Sequence, residues 1–319
     1  MDYFSMFSGI GGFEYGIECA WRNQPHGKIN RQKRNFSNAS LSEDKQRPSC
    51  VGFSEIDKYA KSIYKKHYPN HTDWGDATTI KTEKLPDFQL LVGGFPCQAF
   101  SIAGKRKGFN DTRGTLFFEI ARVLKDKRPR YFLLENVAGL LSHDNGKTFQ
   151  TILGVLTDLG YGVEWQVLNS KDFGVPQNRE RVFIVGHLGG FGGGKVFPII
   201  GGNGKTPEFF SKVTAVSVPL RYLDRNQKNF PTDYSMCIDS SNTTGIMKEE
   251  RIRRLTPVEC ERLQGFPDNY TKYGYDGGLI SDNQRYKCLG NAVTTTVISA
   301  IVKKIVDVRI KNQARRMRV

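Results

Sequence analysis

A three-residue apolar run, Leu90-Leu91-Val92, followed at once by Gly93-Gly94-Phe95-Pro96-Cys97, constrains this chain more than any other stretch. A short apolar run bounded by turn residues reads as a buried parallel strand, and glycine and proline just beyond it turn the chain past the strand's carboxyl end. The pattern recurs at 3–7 before a Gly-rich turn, at 50–54 before Glu55, at 131–134 before Glu135-Asn136-Val137, and again at 162–168 and 182–186. Between these runs lie amphipathic segments that read as helices, one beginning near Glu14 and others over 57–68, 113–124 and 147–159. Helices alternating with short apolar strands predict an α/β fold. Its sheet is mostly parallel and covered on both faces, with the chemistry at the carboxyl ends of the strands.

Each strand end carries candidate chemistry. Pro96 fixes one backbone angle and Gly93 and Gly94 permit close approach, so the loop can present the Cys97 sulfur in a defined direction. A lone cysteine is as readable as a small core hydrophobe, and spacing alone leaves both readings open. The turn Ser8-Gly9-Ile10-Gly11-Gly12-Phe13 lets backbone approach a ligand at a helix start, without the full dinucleotide fingerprint. Glu55, at the end of the second strand, can accept hydrogen bonds from ribose hydroxyls, and Gly75-Asp76 adds a second acid in a turn; each reads equally well as a cap. Gln177-Asn178-Arg179-Glu180-Arg181 is a basic approach to the last strand of the series.

Charge narrows the partner. With 47 Lys and Arg against 32 Asp and Glu, the formal net charge of +15 implies a polyanion, nucleic acid before an anionic membrane surface. The 6 cysteines show neither a C-x-x-C pair nor zinc-ligand spacing, so no disulfide framework and no structural metal is expected, and a reducing cytoplasm fits. No basic leader and no apolar run of membrane-spanning length is read, which predicts a soluble cytoplasmic protein without a membrane partner. Residues 23–49 are polar and basic and read as a flexible inserted loop. The composition shifts at His187: a glycine-rich stretch follows and the helix–strand alternation lapses until about Arg251, as in a separate irregular or β-rich module. Order returns where Thr256 caps a helix with Pro257 in its first turn, and a final helix is expected from roughly Gly290 into a basic tail.

Taken in order, these motifs resemble those of the cytosine C5 DNA methyltransferase family of bacterial and phage modification enzymes. The resemblance is carried by Phe7-Ser8-Gly9-Ile10-Gly11-Gly12-Phe13, Glu55-Ile56-Asp57, Gly75-Asp76, Pro96-Cys97-Gln98, Glu135-Asn136-Val137, Gln177 through Arg181, Arg254-Leu255-Thr256-Pro257 with Gln264-Gly265-Phe266-Pro267, and Gly290-Asn291-Ala292-Val293. It spans nearly the whole chain. It implies a Rossmann-like S-adenosylmethionine-binding catalytic domain over 1–186 plus 270–319, and a smaller target-recognition domain with its hinge over 187–269. Double-stranded DNA would lie between them.

The resemblance also implies roles. Cys97 would add to C6 of a flipped-out cytosine, Glu135 would donate to N3, and Arg179 and Arg181 would hold the base carbonyl, orient Glu135 and favour the thiolate. Phe7, Gly9, Gly11, Gly12, Phe13, Glu55, Ile56, Asp76, Pro96, Asn291 and Ala292 would hold S-adenosylmethionine, with Phe13 against the adenine, Glu55 on the ribose and Asp76 on the exocyclic amine. Pro96, Gln98, Ser101 and Arg181 would contact the substrate, and no metal is expected. A monomer, working beside a separate cognate restriction endonuclease, is the implied assembly. Three positions depart from the pattern: Ser5 stands for a common acid, Ile56 for a common aromatic, and Cys237-Ile238 is the nearest match to a Thr-aliphatic pair. A transfer-RNA cytosine methyltransferase on the same scaffold, and a noncatalytic DNA-binding relative, are the alternative readings.

Overall fold

The structure, a computed structural model, describes residues 1–22, 48–96, 116–190, 194–201, 216–219, 235–238, 244–248 and 251–316. Of the inserted loop expected over 23–49, residues 23–47 lie outside the described residues, as do Cys97, Gln98 and Ser101, and Ser49 already belongs to the second strand. In chain order the elements are β1 (Asp2–Met6), α1 (Gly12–Arg22), β2 (Ser49–Ser54), α2 (Lys58–His67), β3 (Leu90–Gly94), α3 (Leu116–Lys127) and β4 (Tyr131–Val137). They continue with α4 (Lys147–Asp158), β5 (Tyr161–Asn169), β6 (Gln177–Asn178) and β7 (Glu180–Leu188).

Six strands form one sheet in the order β2-β1-β3-β4-β7-β5. β1, β2, β3 and β4 pair in parallel, while β7 runs antiparallel to both of its neighbours. The sheet is therefore mostly parallel, as the alternation predicts, with one reversed strand that the alternation does not reveal. Chain order reverses about β1, between β2 and β3, and that is where an open α/β sheet leaves a crevice at its carboxyl edge.

Successive residues of each strand feed opposite faces, which explains why the strands are apolar throughout rather than alternating. Phe4, Met6, Leu91, Phe132 and Leu134 pack with Phe117, Ile120 and Leu124 of α3 and Ile152 and Leu156 of α4. Tyr3, Leu90, Val92, Tyr131 and Leu133 pack on the other face with Phe13 and Ile17 of α1. Both faces of the sheet are buried.

The second face is completed from the far end of the chain. Among the described residues four short strands follow β7: β8 (Val216–Pro219), β9 (Ser235–Met236), β10 (Thr244–Lys248) and β11 (Arg251–Arg254), then the helices α5 (Pro257–Leu263), α6 (Asp282–Asn291) and α7 (Thr295–Arg316). Val297, Ile298, Ile301 and Ile305 of α7 lie in the same core as Phe13 and Ile17. The two helices cross at Gly16, where a Cβ would meet Ile298 Cβ at 2.6 Å, so any larger residue forces them apart. The final helix begins at Thr295 rather than near Gly290. Ala292 is extended (φ −74°, ψ 154°), which ends α6 and breaks the helical run. The stretch Asp282–Ile310 is long and apolar enough by length and composition to cross a membrane, and 67% of its most apolar window is buried in the protein, as in a core helix.

β8, β10 and β11 form a small antiparallel sheet, and β9 pairs in parallel with β6. Thr256 caps α5 in a reciprocal box with Glu259, with Pro257 in the first turn. Segments on both sides of this small sheet join the large body. Val196, Phe197 and Ile199 enter the second core, and the Glu164 carboxylate accepts from the N–H groups of Val196 and Phe197 at 3.0 and 3.1 Å. Leu255, Cys260, Leu263, Phe266 and Tyr270 pack with Ile10, Tyr15, Ala60 and Ile63.

One buried acid makes the stability pH-dependent. Glu14, in the first turn of α1, is fully buried and accepts from the Tyr64 hydroxyl at 3.1 Å. Burial pushes its carboxyl up from 4.5 to about 7. The folded state therefore holds this proton more tightly than the unfolded chain does. The resulting stability is full below about pH 4.5 and is lost as pH rises through about 7. Glu14→Gln is expected to remove that loss, a difference on the order of 3 kcal/mol between pH 4 and pH 8. Urea unfolding of both proteins at the two pH values measures it.

Candidate active site

The reversal of β7 builds the centre of the site. In the antiparallel pairing of β4 and β7, Val137 opposes Arg181, and Glu135 lies two residues back on the same face, so the Glu135 and Arg181 side chains meet diagonally. Arg181 Nε lies 3.1 Å from Glu135 Oε1, and Glu135 is only 8% exposed. Burial raises the Glu135 carboxyl above its ordinary range, while the charges of Arg181 and Arg179 pull it back. A carboxyl held near a guanidinium yet biased toward its protonated form can donate a proton to a basic ring nitrogen.

The strand that leads to Cys97 ends beside this pair. A Cβ at Gly94 would stand 3.3 Å from Glu135 Oε2, so glycine there leaves the carboxyl its room. Asn136, buried, donates from Nδ2 to the Phe95 carbonyl at 3.0 Å and accepts from Val137 N at 2.8 Å through Oδ1. It thus ties the start of the Pro96-Cys97 loop to the end of β4. Pro96 is exposed at the edge. Cys97, Gln98 and Ser101 lie outside the described residues, so their expected roles rest on sequence.

A second set gathers at the carboxyl ends of β1 and β2. Phe7 and Gly9 both adopt left-handed backbone (φ 54° and 56°), an uncommon state for phenylalanine that marks a constrained turn. Gly9 N donates to Glu55 Oε2 at 2.8 Å, and Ile56 N and Asp57 N donate to Oε1, each at 2.8 Å. Three backbone donors hold this carboxylate rigid and leave Oε2 with acceptor capacity. Ser54 Oγ donates to Gly75 O at 2.9 Å, joining the Asp76 turn to the same edge. Asp76 caps its turn through Oδ1, from Thr78 N and Thr78 Oγ1, and its Oδ2 carries no bond among the described residues.

This edge combines a fixed carboxylate with an exposed apolar surface and open space. Ile56 is 70% exposed beside Glu55, an apolar surface with nothing packed on it among the described residues. A Cβ at Gly9 or Gly75 would meet no atom within 4 Å, which leaves open space before both turns. Gly11 packs instead on the Tyr68 ring and Gly12 on Val293, positions that shape the turn from behind.

Two expected contacts are placed differently. Phe13 is 2% exposed and its ring lies in the sheet core, so it offers no face to an adenine; Phe7, half-buried at the turn, is the aromatic that reaches the edge. Arg179 is buried and spends its guanidinium mostly on backbone: Nη2 donates to Gly290 O and Ala292 O at 3.1 and 2.9 Å, and Nη1 to Ile238 O at 3.3 Å and to Cys237 Sγ at 3.2 Å. It braces the turn containing Asn291 and Ala292 and does not bond to Glu135. Asn136 and Gln177 are the residues that the sequence reading passed over. Both lie inside motifs it quoted, and their signal was a polar side chain at a strand position that must be buried.

A family model described as C-5 cytosine-specific DNA methylase matches residues 1–192 and 212–307. The Type II methyltransferase M.SsoII of Shigella sonnei is 38% identical over 300 residues, covering 81% of this chain and 74% of that protein. The Type II methyltransferase M.NlaX of Neisseria lactamica is 35% identical over 335 residues and covers 94% of each chain. Among solved structures, the S. pombe Dnmt2 methyltransferase matches with a TM-score of 0.67 over 96% of this chain and 98% of that one, at 19% identity, a likeness of fold.

Proposed function

Because this chain belongs to the C-5 cytosine-specific DNA methylase family, we propose that Cys97, Glu135 and Arg181 methylate a cytosine flipped out of duplex DNA through a covalent Cys97–C6 intermediate. The chain is a DNA cytosine-5-methyltransferase of the Type II restriction-modification kind. The single observation that supports the assignment of residues is the buried Glu135–Arg181 pair beside the strand that leads to Cys97.

Cytosine C5 is a poor nucleophile. Addition of the Cys97 thiolate to C6, with a proton passed from Glu135 to N3, makes the ring enamine-like and C5 reactive. Arg181 holds the base carbonyl and Glu135 together. S-adenosylmethionine supplies the methyl group from its sulfonium. After C5 takes the methyl group, loss of the C5 proton to a base such as water lets the C5–C6 double bond re-form, Cys97 leaves as thiolate, and N3 returns its proton to Glu135. A cytosine stacked in a duplex hides C6, so flipping precedes chemistry and costs a few kcal/mol.

For the cofactor we assign the Phe7–Gly12 turn, Glu55, Ile56, Asp76, Pro96 and the Asn291-Ala292 turn, the last held by Arg179 rather than free to move. Ile56 would cover the adenine, Glu55 would accept from the ribose and Asp76 Oδ2 from the exocyclic amine. Residues 187–269 are assigned to target recognition and its hinge. Within that range 196–199 and 255–269 pack on the catalytic body. The net charge of +15 supplies attraction to the phosphate backbone. A monomer in the cytoplasm, with a separate cognate endonuclease, completes the reading.

Asn136→Ala releases the Phe95 carbonyl in a buried site. It is expected to lower kcat by about 10- to 100-fold through misplacement of Cys97, with the dissociation constant for cofactor unchanged. Steady-state kinetics with a cofactor titration checks this. The function is tested by incubating unmethylated duplex DNA with the protein and S-adenosylmethionine and mapping 5-methylcytosine at base resolution. Methylation confined to one short motif is the expected result; methylation of transfer RNA alone, or of nothing, overturns it.

A further inference from the structure

The reaction above makes no use of Gln177, yet this side chain is fully buried at the junction of three segments. Its Oε1 accepts from Ile238 N at 3.1 Å and its Nε2 donates to Leu263 O at 2.9 Å. Two residues on, Arg179 Nη1 donates to Ile238 O at 3.3 Å and to Cys237 Sγ at 3.2 Å. Both backbone groups of Ile238 are therefore held by alternate side chains of one short segment. Two residues further, Arg181 turns Nη2 toward Cys237 Sγ at 3.7 Å and Nε toward Glu135 at 3.1 Å.

The network continues away from the reacting base. Gln264, next to Leu263 at the end of α5, donates to Leu289 O at 2.9 Å and accepts from Thr294 Oγ1 at 2.8 Å. Thr294 Oγ1 lies 2.8 Å from Ser170 Oγ, which returns to Arg179 O at 3.3 Å. Leaving a buried polar group unpaired is costly, so these bonds tie the segments together as one unit, in which the Arg179 Nε alone has no hydrogen-bond partner among the described residues. Moving Ile238 breaks its bonds to both Gln177 and Arg179.

We infer that Gln177 is a positioning residue that fixes the Cys237-Ile238 segment of the recognition region against Arg179 and Arg181, so that DNA engagement and placement of the Arg181–Glu135 pair are set together. The inference rests on the reading of 187–269 as the DNA-recognition region. It differs from a packing role in what it demands of the side chain: an acceptor for Ile238 N–H rather than volume alone.

The test compares Gln177→Met, which keeps the length and loses both bonds, with Gln177→Glu, which keeps the acceptor for Ile238 N–H and loses the donor to Leu263 O. KM for duplex DNA, KM for S-adenosylmethionine and kcat are measured for both variants and for the parent protein. The Met variant is expected to raise KM for DNA roughly tenfold through loss of the buried bond to Ile238 N–H, with KM for S-adenosylmethionine within about twofold. The Glu variant is expected to recover most of that loss. Should Gln177→Met fail to fold, Gln177→Asn, too short to reach Ile238 N–H, takes its place with the same expectation. Equal DNA constants in all proteins, or loss of DNA and cofactor affinity in step, overturns the inference. A parent protein that methylates no DNA overturns the functional reading instead, which separates the two failures.

Discussion

Replacement of Cys97 by serine is expected to lower methyl transfer by at least about 10,000-fold while cofactor and DNA remain bound, the scale seen when a covalent nucleophile is removed. Serine keeps the shape and loses the thiolate, and a neutral hydroxyl does not add to an aromatic C6 at useful rates. The end of β3 that leads to Cys97 stays placed, because Asn136 holds the Phe95 carbonyl and the Phe95 ring is buried. Two readouts check it. Transfer of a labelled methyl group should vanish, and duplex DNA carrying 5-fluorocytosine should form a denaturation-resistant adduct with the parent protein and none with the variant. Fluorine at C5 cannot leave as a proton does, so the parent enzyme stops with Cys97 still bonded to C6. Full activity in Cys97→Ser would sink the covalent mechanism.

The second large effect is expected at Glu135. Glu135→Gln preserves size and loses the transferable proton, and kcat should fall by roughly two to four orders of magnitude. The pH dependence gives the sharper test. Burial raises this carboxyl, and the acid role needs its protonated form, so Glu135-dependent activity is present below the folded pKa and lost as pH rises through it. The Gln variant should lack that limb. Arg181 and Arg179 pull in the opposite direction, so Arg181→Ala should move the limb to higher pH while weakening the hold on the base. A pH–rate profile for the three proteins reads both predictions, and an unchanged rate in Glu135→Gln removes it from the acid role.

Much of this molecule is legible without coordinates, for reasons that are local. Apolar runs at 3–7, 50–54, 90–92 and 131–134 become β1, β2, β3 and β4 because each is too short and too apolar for a surface helix and ends in turn residues. Thr256-Pro257 starts a helix because the cap and the first-turn proline act within four residues. The misreadings are also physical. Phe13 and Phe7 are both aromatic residues of one Gly-rich motif, and only the packing of α1 on the sheet sends Phe13 into the core. Gly290 looks like a helix start until Ala292 is seen extended, with its carbonyl taken by Arg179.

By itself, the sequence placed Gly9, Glu55, Pro96 and Glu135 at or just beyond the ends of short apolar strands and Asp76 in a turn, because strand ends and turns are set by nearest neighbours. Only the tertiary structure decided which of them meet. An apolar run such as 182–186 reads the same whether its strand lies parallel or antiparallel. Laid parallel to β4, β7 would leave Arg181 at the opposite edge, roughly 20 Å from Glu135 for strands of this length. Reversed, it begins where β4 ends, and Arg181 closes on Glu135 at 3.1 Å. The docking of these elements also brings Gln177 and Arg179 against Ile238, Leu263 and Ala292, segments 59 to 113 residues away in the chain. Contacts at that separation depend on how whole elements dock, which no local pattern in the chain records.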